Sequence, residues 1–302
     1  MCVSPEKPRA LALALPVAGV VAATASFQAG AALAKGLFPA LGPQGTVALR
    51  VLLGALMLVA IVRPWRRWPR DAPRLPILVL GAATAGATLF FYLAIGRVPQ
   101  GVAIALQFLG PLAVAVAGSR RALDLVWTAL AAAGVWGLVG SGAADGGRLD
   151  LLGVAWALAA AACWAAYIVW GRAASAAYGA ATPAVALAIA AVIVTPVGVA
   201  HAGAALLRPE LLPLAALVAL ISTAIPFTLE MYALPRMPAR TFAVLTSLEP
   251  AWGALFGLVL LSEVLAPPQL AGVAAVIAAA AGAALSSAPR PGAPQRQSPP
   301  PS

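Results

Sequence analysis

Residues 246–265 read TSLEPAWGALFGLVLLSEVL and place an acidic residue, Glu249, next to Pro250 in the middle of an apolar run. An ionised carboxylate at the centre of a bilayer costs about 2.5 to 3.5 kcal/mol, and a proline removes one helical hydrogen bond. A chain that carries both needs something to offset these costs. The stretch therefore predicts a membrane helix with a functional carboxylate inside it.

The composition of the whole chain is that of a membrane protein. Of its 302 residues, 62% are hydrophobic and 9% are charged, whereas soluble domains carry about 25% charged residues. The charges separate apolar runs of about 20 residues, the length that spans a bilayer as a helix. These ten runs cover residues 11–33, 43–62, 75–95, 99–118, 124–141, 151–171, 182–202, 211–234, 239–261 and 267–287. We therefore predict an all-α polytopic membrane protein with ten transmembrane helices.

The net charge of +10 is distributed unevenly between the two sides of the predicted membrane. If the N-terminus is cytoplasmic, 14 basic residues flank the runs on the inside and 4 on the outside. The inside set is Lys7, Arg9, Arg63, Arg66, Arg67, Arg70, Arg74, Arg120, Arg121, Arg172, Arg236, Arg240, Arg290 and Arg296. The outside set is Lys35, Arg97, Arg148 and Arg208. This asymmetry follows the positive-inside rule, so both termini are predicted to be cytoplasmic, and no nucleic-acid partner is expected.

The chain also contains a weak internal repeat. A shift of 139 residues aligns 84–118 with 223–257 without a gap, with 10 identical pairs among 35, including Arg97 with Arg236 and Pro111 with Pro250. Two similar halves of five spans each enter the membrane in opposite directions, which is typical of secondary transporters. We predict one repeat over residues 11–141, a second over 151–287, and a disordered cytoplasmic tail over the proline-rich residues 288–302.

The sequence resembles the drug/metabolite transporter superfamily in its EamA-type, ten-helix form. The stretch LEPAWGALFGLVLLSEVLAPPQLAGVAAVIAAAAG (248–282) is similar to the last two helices of the second repeat, although Ser262 precedes Glu263 where the family tends to have glycine. The stretches ALQFLGPLAVAVAGSRRALDLVW (105–127) and STAIPFTLEMYALPRMPARTF (222–242) are similar to the branch that exports threonine and homoserine across the bacterial inner membrane. This resemblance implies an exporter of small amino acids located in that membrane.

Polar residues inside the apolar runs are the candidates for substrate binding. An amino acid needs an anion for its ammonium group, for which Glu249 and Glu230 are available. It needs donors for its carboxylate, which Arg50 or a helix N-terminus broken by Pro111 or Pro250 would supply. Partners for a substrate hydroxyl are Gln28, Gln107, Ser26, Thr246 and Ser247, and aromatic residues that would line or gate the cavity are Trp164, Tyr167, Phe91, Tyr92 and Tyr232.

Each candidate has a structural alternative. Arg50, near the outer end of the second run, would extend to the membrane surface or pair with Glu263. Glu230 would hold its helix to Arg236 or Arg240. Gln28 and Gln107 would hydrogen-bond between helices, and the aromatic residues would belong to the interfacial belts.

The sequence also bears on the energy source. It contains no phosphate-binding G-x-x-x-x-G-K-[ST] loop, so export is predicted to draw on the proton-motive force. Glu249 or Glu230, in a medium of low dielectric constant, would alternate between protonated and charged forms, so that an entering proton displaces the substrate ammonium.

Other classes of function remain as alternatives or are disfavoured. The first alternative is an exporter of the same fold for another amino acid, a purine-like compound or a drug. An intramembrane enzyme is disfavoured because the single histidine, His201, lies at the end of a run and has no partner motif. No cofactor or metal is expected. The expected partners are a small amino acid, protons and membrane lipids, and the oligomeric state is left open.

Overall fold

The computed structural model describes residues 9–69, 71–117, 122–139, 149–233, 236–237 and 239–286. Within these ranges the chain forms helices and short turns and contains no strand. The α-helices are α1 (Arg9–Ala34), α2 (Phe38–Val62), α3 (Arg74–Ile95), α4 (Gln100–Gln107), α5 (Leu109–Ala117), α6 (Ala122–Val139), α7 (Leu151–Tyr178), α8 (Thr182–Ala202), α9 (Leu212–Ala219), α10 (Ile225–Ala233), α11 (Ala239–Thr246), α12 (Glu249–Leu261) and α13 (Pro267–Ser286). The Ser119–Arg121 motif and the predicted tail 288–302 lie outside the described residues.

Each of the ten predicted apolar runs coincides with one helix or with consecutive helical pieces. Among the residues that the structure describes, six continuous helical stretches are long and apolar enough to cross a membrane. Two of them, Ala14–Arg66 and Leu151–Leu207, each contain two of the helices defined above. Two shorter apolar helices, Gln100–Val114 and Leu125–Leu138, account for the remaining runs. An all-helical polytopic membrane protein is therefore confirmed.

The fourth and ninth runs are both interrupted at the same place in the internal repeat. In the fourth run, α4 ends at Gln107 and α5 begins at Leu109. In the ninth run, α11 ends at the equivalent residue, Thr246, and α12 begins at Glu249. Pro111 and Pro250 follow these breaks, and each lacks the N–H group that would bond to the carbonyl four residues earlier. The two breaks therefore have the same local cause.

The eighth run contains a second irregularity, a π-helical segment between α9 and α10. It covers Leu220–Ala224, whereas the equivalent part of α3 is regular α-helix. The hydroxyl of Ser26 on α1 donates to the carbonyl oxygen of Ile221 at 2.6 Å, and Arg50 on α2 binds Ser222. Side chains from two neighbouring helices therefore bind polar groups of this segment. Such π-helical segments occur often at functional sites.

Small residues let the helices approach closely. The main helix contacts join α3 with α7, α2 with α8, α6 with α13, α4 with α12, and α1 with α10. A Cβ atom on Gly101 of α4 would lie 2.8 Å from the Cα of Ala254 on α12, which is closer than real Cβ atoms come. Close packing of this kind replaces the hydrophobic driving force that helices lack within lipid.

One ion pair marks the junction between the two halves of the chain. Arg97, after α3, donates to Oδ2 of Asp150 at 2.7 Å, and Oδ1 of Asp150 caps α7 by accepting from the N–H of Leu152 at 2.8 Å. The Arg97 guanidinium and this backbone N–H hold the pKa of Asp150 below its ordinary value. Asp150 is therefore both the N-cap of α7 and the partner of Arg97.

Candidate functional site

A cluster of acidic and amide side chains lies at the break between α11 and α12. Glu249 is the first residue of α12 and is buried, with 8% of its surface exposed. The side chain of Gln28 on α1 and the carboxyl group of Glu230 on α10 both lie close enough to interact electrostatically with the carboxyl group of Glu249. Glu230 also interacts with Tyr167 on α7. Four of the predicted site residues are therefore brought together, from four different helices.

This cluster continues through hydrogen bonds to an ion pair at the end of α1. The side-chain amide of Gln100 donates to the backbone oxygen of Gln28 at 2.8 Å and to its Oε1 at 3.0 Å. The backbone N–H of Gln100, at the start of α4, donates to Oε2 of Glu263 at 2.7 Å. The other carboxylate oxygen of Glu263 accepts from Lys35. A continuous chain of polar contacts therefore runs from Lys35 to Glu249.

The backbone after α12 is shaped to deliver the Glu263 carboxylate. Ser262 adopts a left-handed conformation with φ of 57°, and the N–H of Glu263 returns to the carbonyl of Gly257 at 3.0 Å. A Cβ atom on Gly257 would lie 2.8 Å from Oε2 of Glu263. The turn and the glycine together leave room for a carboxylate at the N-terminus of α4, where the helix dipole favours negative charge.

Arg50 forms the second polar centre. Its Nε donates to the hydroxyl of Ser222 at 2.7 Å, and its Nη2 donates to the carbonyl oxygen of Ser222 at 3.1 Å. The guanidinium carbon lies 5.4 Å from the ring centre of Tyr92 and 5.8 Å from that of Phe27. Arg50 and Tyr92 are buried. The guanidinium is therefore held by two aromatic rings and by the π-helical segment, in an environment where a bound carboxylate would gain strongly from its charge.

Three consecutive residues of α1 connect the two centres. Ser26 binds the π-helical segment, Phe27 faces the Arg50 guanidinium, and Gln28 lies close to Glu249. Because all three sit on one helical turn, movement of this part of α1 would act on both centres at once.

Among the described residues, no hydrogen bond joins the other predicted site residues to these centres, although Phe91 adjoins Tyr92, a neighbour of Arg50. Gln107 is buried at the end of α4. Thr246 donates to the carbonyl of Ala243 at 3.0 Å, and Ser247 donates to that of Val244 at 2.6 Å. Trp164 packs edge-on against Phe108 beside the break in the fourth run, with ring centres 5.1 Å apart. Phe91 is buried next to Tyr92, whereas the side chain of Tyr232 lies outside the described part of the structure.

Two expectations about Arg50 are wrong. It does not extend to the membrane surface, because its side chain is buried and its guanidinium lies against Ser222, Tyr92 and Phe27. The alternative in which Arg50 pairs with Glu263 is also wrong, because Glu263 binds Lys35 and Gln100 while Arg50 binds Ser222.

The helix N-terminus created by Pro250 has few donors to offer a carboxylate. The N–H groups of Ala251 and Trp252 both donate to the carbonyl of Leu248, at 2.9 and 3.1 Å. These donors are already engaged, so Arg50 is the stronger candidate partner for a carboxylate in the second half.

The chain is 47% identical over 281 residues to the threonine/homoserine exporter RhtA of Escherichia coli K12, covering 93% of this chain and 95% of the relative. The same identity and coverage relate it to the protein of that name from Salmonella typhimurium SL1344. The sequence profile of the EamA-like transporter family matches residues 151–285. The chain belongs to the EamA-like transporter family.

A solved structure supports the fold of this EamA-like transporter. A crystal structure of a protein that is 20% identical superposes with a TM-score of 0.54 and covers 92% of this chain and 98% of its own. At this identity the likeness concerns the fold alone. Family membership and the apolar helices together make the chain a multi-pass transporter of the bacterial inner membrane.

Three groups in the site of this EamA-like transporter were not found from the sequence. Gln100 and Ser222 are not among the candidates that the sequence offers, and the pairing of Lys35 with Glu263 is not expected from it. One signal for Gln100 was available, since its counterpart 139 residues later is the apolar Ala239. Glu249 carries the same signal, because its counterpart in the other half, Gly110, has no polar side chain.

Packing accounts for that asymmetry at Glu249 itself. Its counterpart in the first half is Gly110, and a Cβ atom there would lie 2.2 Å from the carbonyl oxygen of Ala161 on α7. No side chain fits at that position. The carboxylate can therefore exist only in the second half of this EamA-like transporter.

Proposed function

We propose that the chain exports small amino acids, threonine and homoserine foremost, from the cytoplasm as a secondary active transporter driven by the proton-motive force. One observation carries the proposal: a buried guanidinium, Arg50, and a buried carboxyl group, Glu249, contact adjacent residues of the same turn of α1. A zwitterionic amino acid presents the two complementary charges. The near full-length identity to the threonine/homoserine exporters supports this choice of substrate.

The proposed arrangement in the membrane is ten crossings in two inverted repeats of five, over residues 11–141 and 151–287, with both termini in the cytoplasm. The internal repeat makes α3 equivalent to the α9–α10 helix and α1 equivalent to α7. The contact of α3 with α7 therefore has an equivalent in the contact of the α9–α10 helix with α1, and both contacts are present. The contacts of Lys35 with Glu263 and of Arg97 with Asp150 also join residues that this arrangement assigns to the same, outer side. Inverted repeats of this kind usually have the substrate site near the bilayer midplane.

In this proposal the two centres bind opposite ends of the substrate. Glu249, with Glu230 nearby, binds the ammonium group, and the fork of donors on Arg50 binds the carboxylate. The side-chain oxygen of Gln100 is buried and has no hydrogen-bond partner among the described residues, so it joins Gln28 as an acceptor for the substrate hydroxyl. The interaction of Tyr167 with Glu230 makes this ring the candidate for the wall of the site on α7.

Proton coupling follows from the acidic pair. Two carboxylates that interact inside a membrane favour states in which at least one of them is protonated. A bound ammonium group stabilises the ionised form of Glu249, and its departure makes protonation favourable. Proton entry and substrate exit would therefore compete for the same carboxylate, which is the requirement for antiport.

The substrate assignment is tested by efflux from vesicles that contain the purified protein and are loaded with a labelled solute. The panel is threonine, homoserine, an amino acid without a hydroxyl group, a purine and a cationic drug. We expect threonine and homoserine to leave fastest and to compete with each other. If the purine or the drug leaves while threonine is retained, the chain is an exporter of the same fold for another metabolite, and the substrate proposal is wrong.

A further inference from the structure

An apolar groove lies on the outside of the helix bundle, away from the transport site. One wall is formed by the end of α2 and the turn that follows it, with Val59, Pro64 and Trp68. The other wall is one face of α8, with Val185, Ala188 and Val192. The groove has a volume of about 320 Å³, and all of its lining residues are apolar. In a bilayer, a groove with these walls accommodates a hydrocarbon chain.

A cluster of arginines in the sequence begins at the end of α2, which forms one wall of this groove. The segment from Arg63 to Arg74 reads RPWRRWPRDAPR and contains five arginines and a single acid, Asp71. Arg63 ends α2 in a left-handed conformation with φ of 51°, and Arg66 lies in the 3₁₀ turn over Pro64–Arg67 that supplies a groove wall. Both side chains are exposed. Positive charge is thus concentrated where the apolar groove begins.

Two tryptophans indicate that this junction lies at the level of the lipid headgroups. Trp65 is 61% exposed and Trp68 is 49% exposed, and such aromatic side chains concentrate at the membrane–water interface. Trp68 is also fixed in place, because it packs edge-on against Tyr178 with ring centres 5.6 Å apart. The apolar walls therefore extend into the hydrocarbon layer, and the guanidinium groups lie among the headgroups.

We propose that this groove and the arginine cluster form a binding site for an anionic phospholipid, with one acyl chain between α2 and α8 and the headgroup phosphate on Arg63 and Arg66. Charge complementarity selects this occupant. A groove without polar groups offers nothing to a hydrophilic ligand, and an uncharged lipid would leave the guanidinium groups without an anion. Since bilayer chains are as apolar as the groove, the selectivity comes from the headgroup charge, at about fivefold in affinity for each arginine.

The site is tested by fluorescence quenching on the full-length protein in nanodiscs. The discs contain phosphatidylcholine and an equal mole fraction of a brominated-chain lipid, which is either phosphatidylglycerol or phosphatidylcholine. Bromine quenches tryptophan on contact, and the part of the signal from the groove is the difference between the wild type and Trp68→Phe. We expect brominated phosphatidylglycerol to quench this part clearly more than brominated phosphatidylcholine does.

Two variants separate the headgroup from the chain. The double variant Arg63→Gln/Arg66→Gln should abolish the preference for phosphatidylglycerol. The control variant Arg172→Gln/Arg208→Gln removes two exposed charges that do not line the groove and should preserve this preference. Ala188→Phe fills the groove and should reduce quenching by both lipids. Equal quenching by the two lipids in the wild type, or an unchanged preference after loss of Arg63 and Arg66, would overturn the proposal. Transport does not enter the readout, so neither result bears on the export of amino acids.

Discussion

At the scale of single residues, the proposed transport site consists of one cation and one anion held by different means. Arg50 is fixed by two hydrogen bonds to Ser222 and by the rings of Tyr92 and Phe27. Glu249 lies close to an amide from α1 and to a second acid, Glu230. The cation is rigid and the anion is free to change its protonation state. We expect Arg50 to orient the substrate and Glu249 to release it.

Replacement of Arg50 by lysine tests the orienting role. Lysine keeps the charge but cannot donate through a planar fork, so Arg50→Lys should raise the KM for threonine about tenfold or more. The measurement is efflux as a function of internal threonine concentration, with the exposed Arg172→Lys as the control. An unchanged KM together with a lower melting temperature would instead mean that Arg50 serves only to hold the π-helical segment.

At the scale of helices, the breaks and turns determine where the polar groups lie. The breaks in the fourth and ninth runs share a register and a proline, whereas the π-helical segment occurs in the second half only. The turn after α12 brings Glu263 to the N-terminus of α4. These irregular elements position the polar contacts between the two halves, whereas the regular helices supply most of the packing between them.

The turn after α12 gives a prediction for stability. Ser262 has a positive φ, which costs a residue with a side chain about 1 kcal/mol compared with glycine. Ser262→Gly should therefore leave transport unchanged and raise the melting temperature slightly. Gly257→Ala should lower it, because its Cβ would approach Glu263 to 2.8 Å. Thermal unfolding in detergent measures both variants, and a destabilised Ser262→Gly protein would contradict this reading of the turn.

The cap of α7 gives a second prediction at this scale. Asparagine caps a helix as well as aspartate does but carries no charge. Asp150→Asn should therefore lose only the pair with Arg97, whereas Asp150→Ala should lose the cap as well and melt lower. Because Arg97 lowers the pKa of Asp150, the pair stabilises the folded protein fully above pH 3.8, the ordinary pKa of this carboxyl group. This stabilisation is lost as the pH falls through the lowered pKa. Melting temperatures between pH 3 and pH 7 should show the wild type and Asp150→Asn converging only at the acidic end of this range. Equal stability of the asparagine and alanine variants would show that Asp150 does not act as a cap.

The helices could be predicted from the sequence, whereas several of their contacts could not. Apolar length and charge clusters locate every helix, because the cost of burying charge in lipid leaves few other solutions. The partners of Arg50 were not found because Ser222, Tyr92 and Phe27 lie on other helices, far from Arg50 in sequence. The π-helical segment contains neither glycine nor proline, but Pro226 follows it and lacks the N–H group that would bond to the carbonyl of Ser222, the carbonyl that Arg50 binds. The segment is bound from outside by Ser26 and Arg50, and such tertiary contacts are not encoded in local pattern.

At the scale of the whole molecule, polar contacts connect one end of the helix bundle with the candidate site. Hydrogen bonds join the Lys35–Glu263 pair to Gln100 and Gln28, and the side chain of Gln28 lies close to Glu249. A change of charge at Glu249 therefore reaches a contact that joins the two halves on one side. This is the kind of link that alternating access requires, since one half moves against the other around a fixed site.

The central claim is that proton entry at Glu249 drives substrate exit. The most direct test is the efflux of labelled threonine from loaded vesicles, with the proton gradient clamped on and then off. The wild type and Glu210→Gln, which removes an exposed acid, should export faster with the gradient. Glu249→Gln should fold and give the same slow efflux in both conditions, because its amide cannot exchange a proton for an ammonium group. If Glu249→Gln responds to the gradient as the wild type does, Glu249 does not couple export to protons.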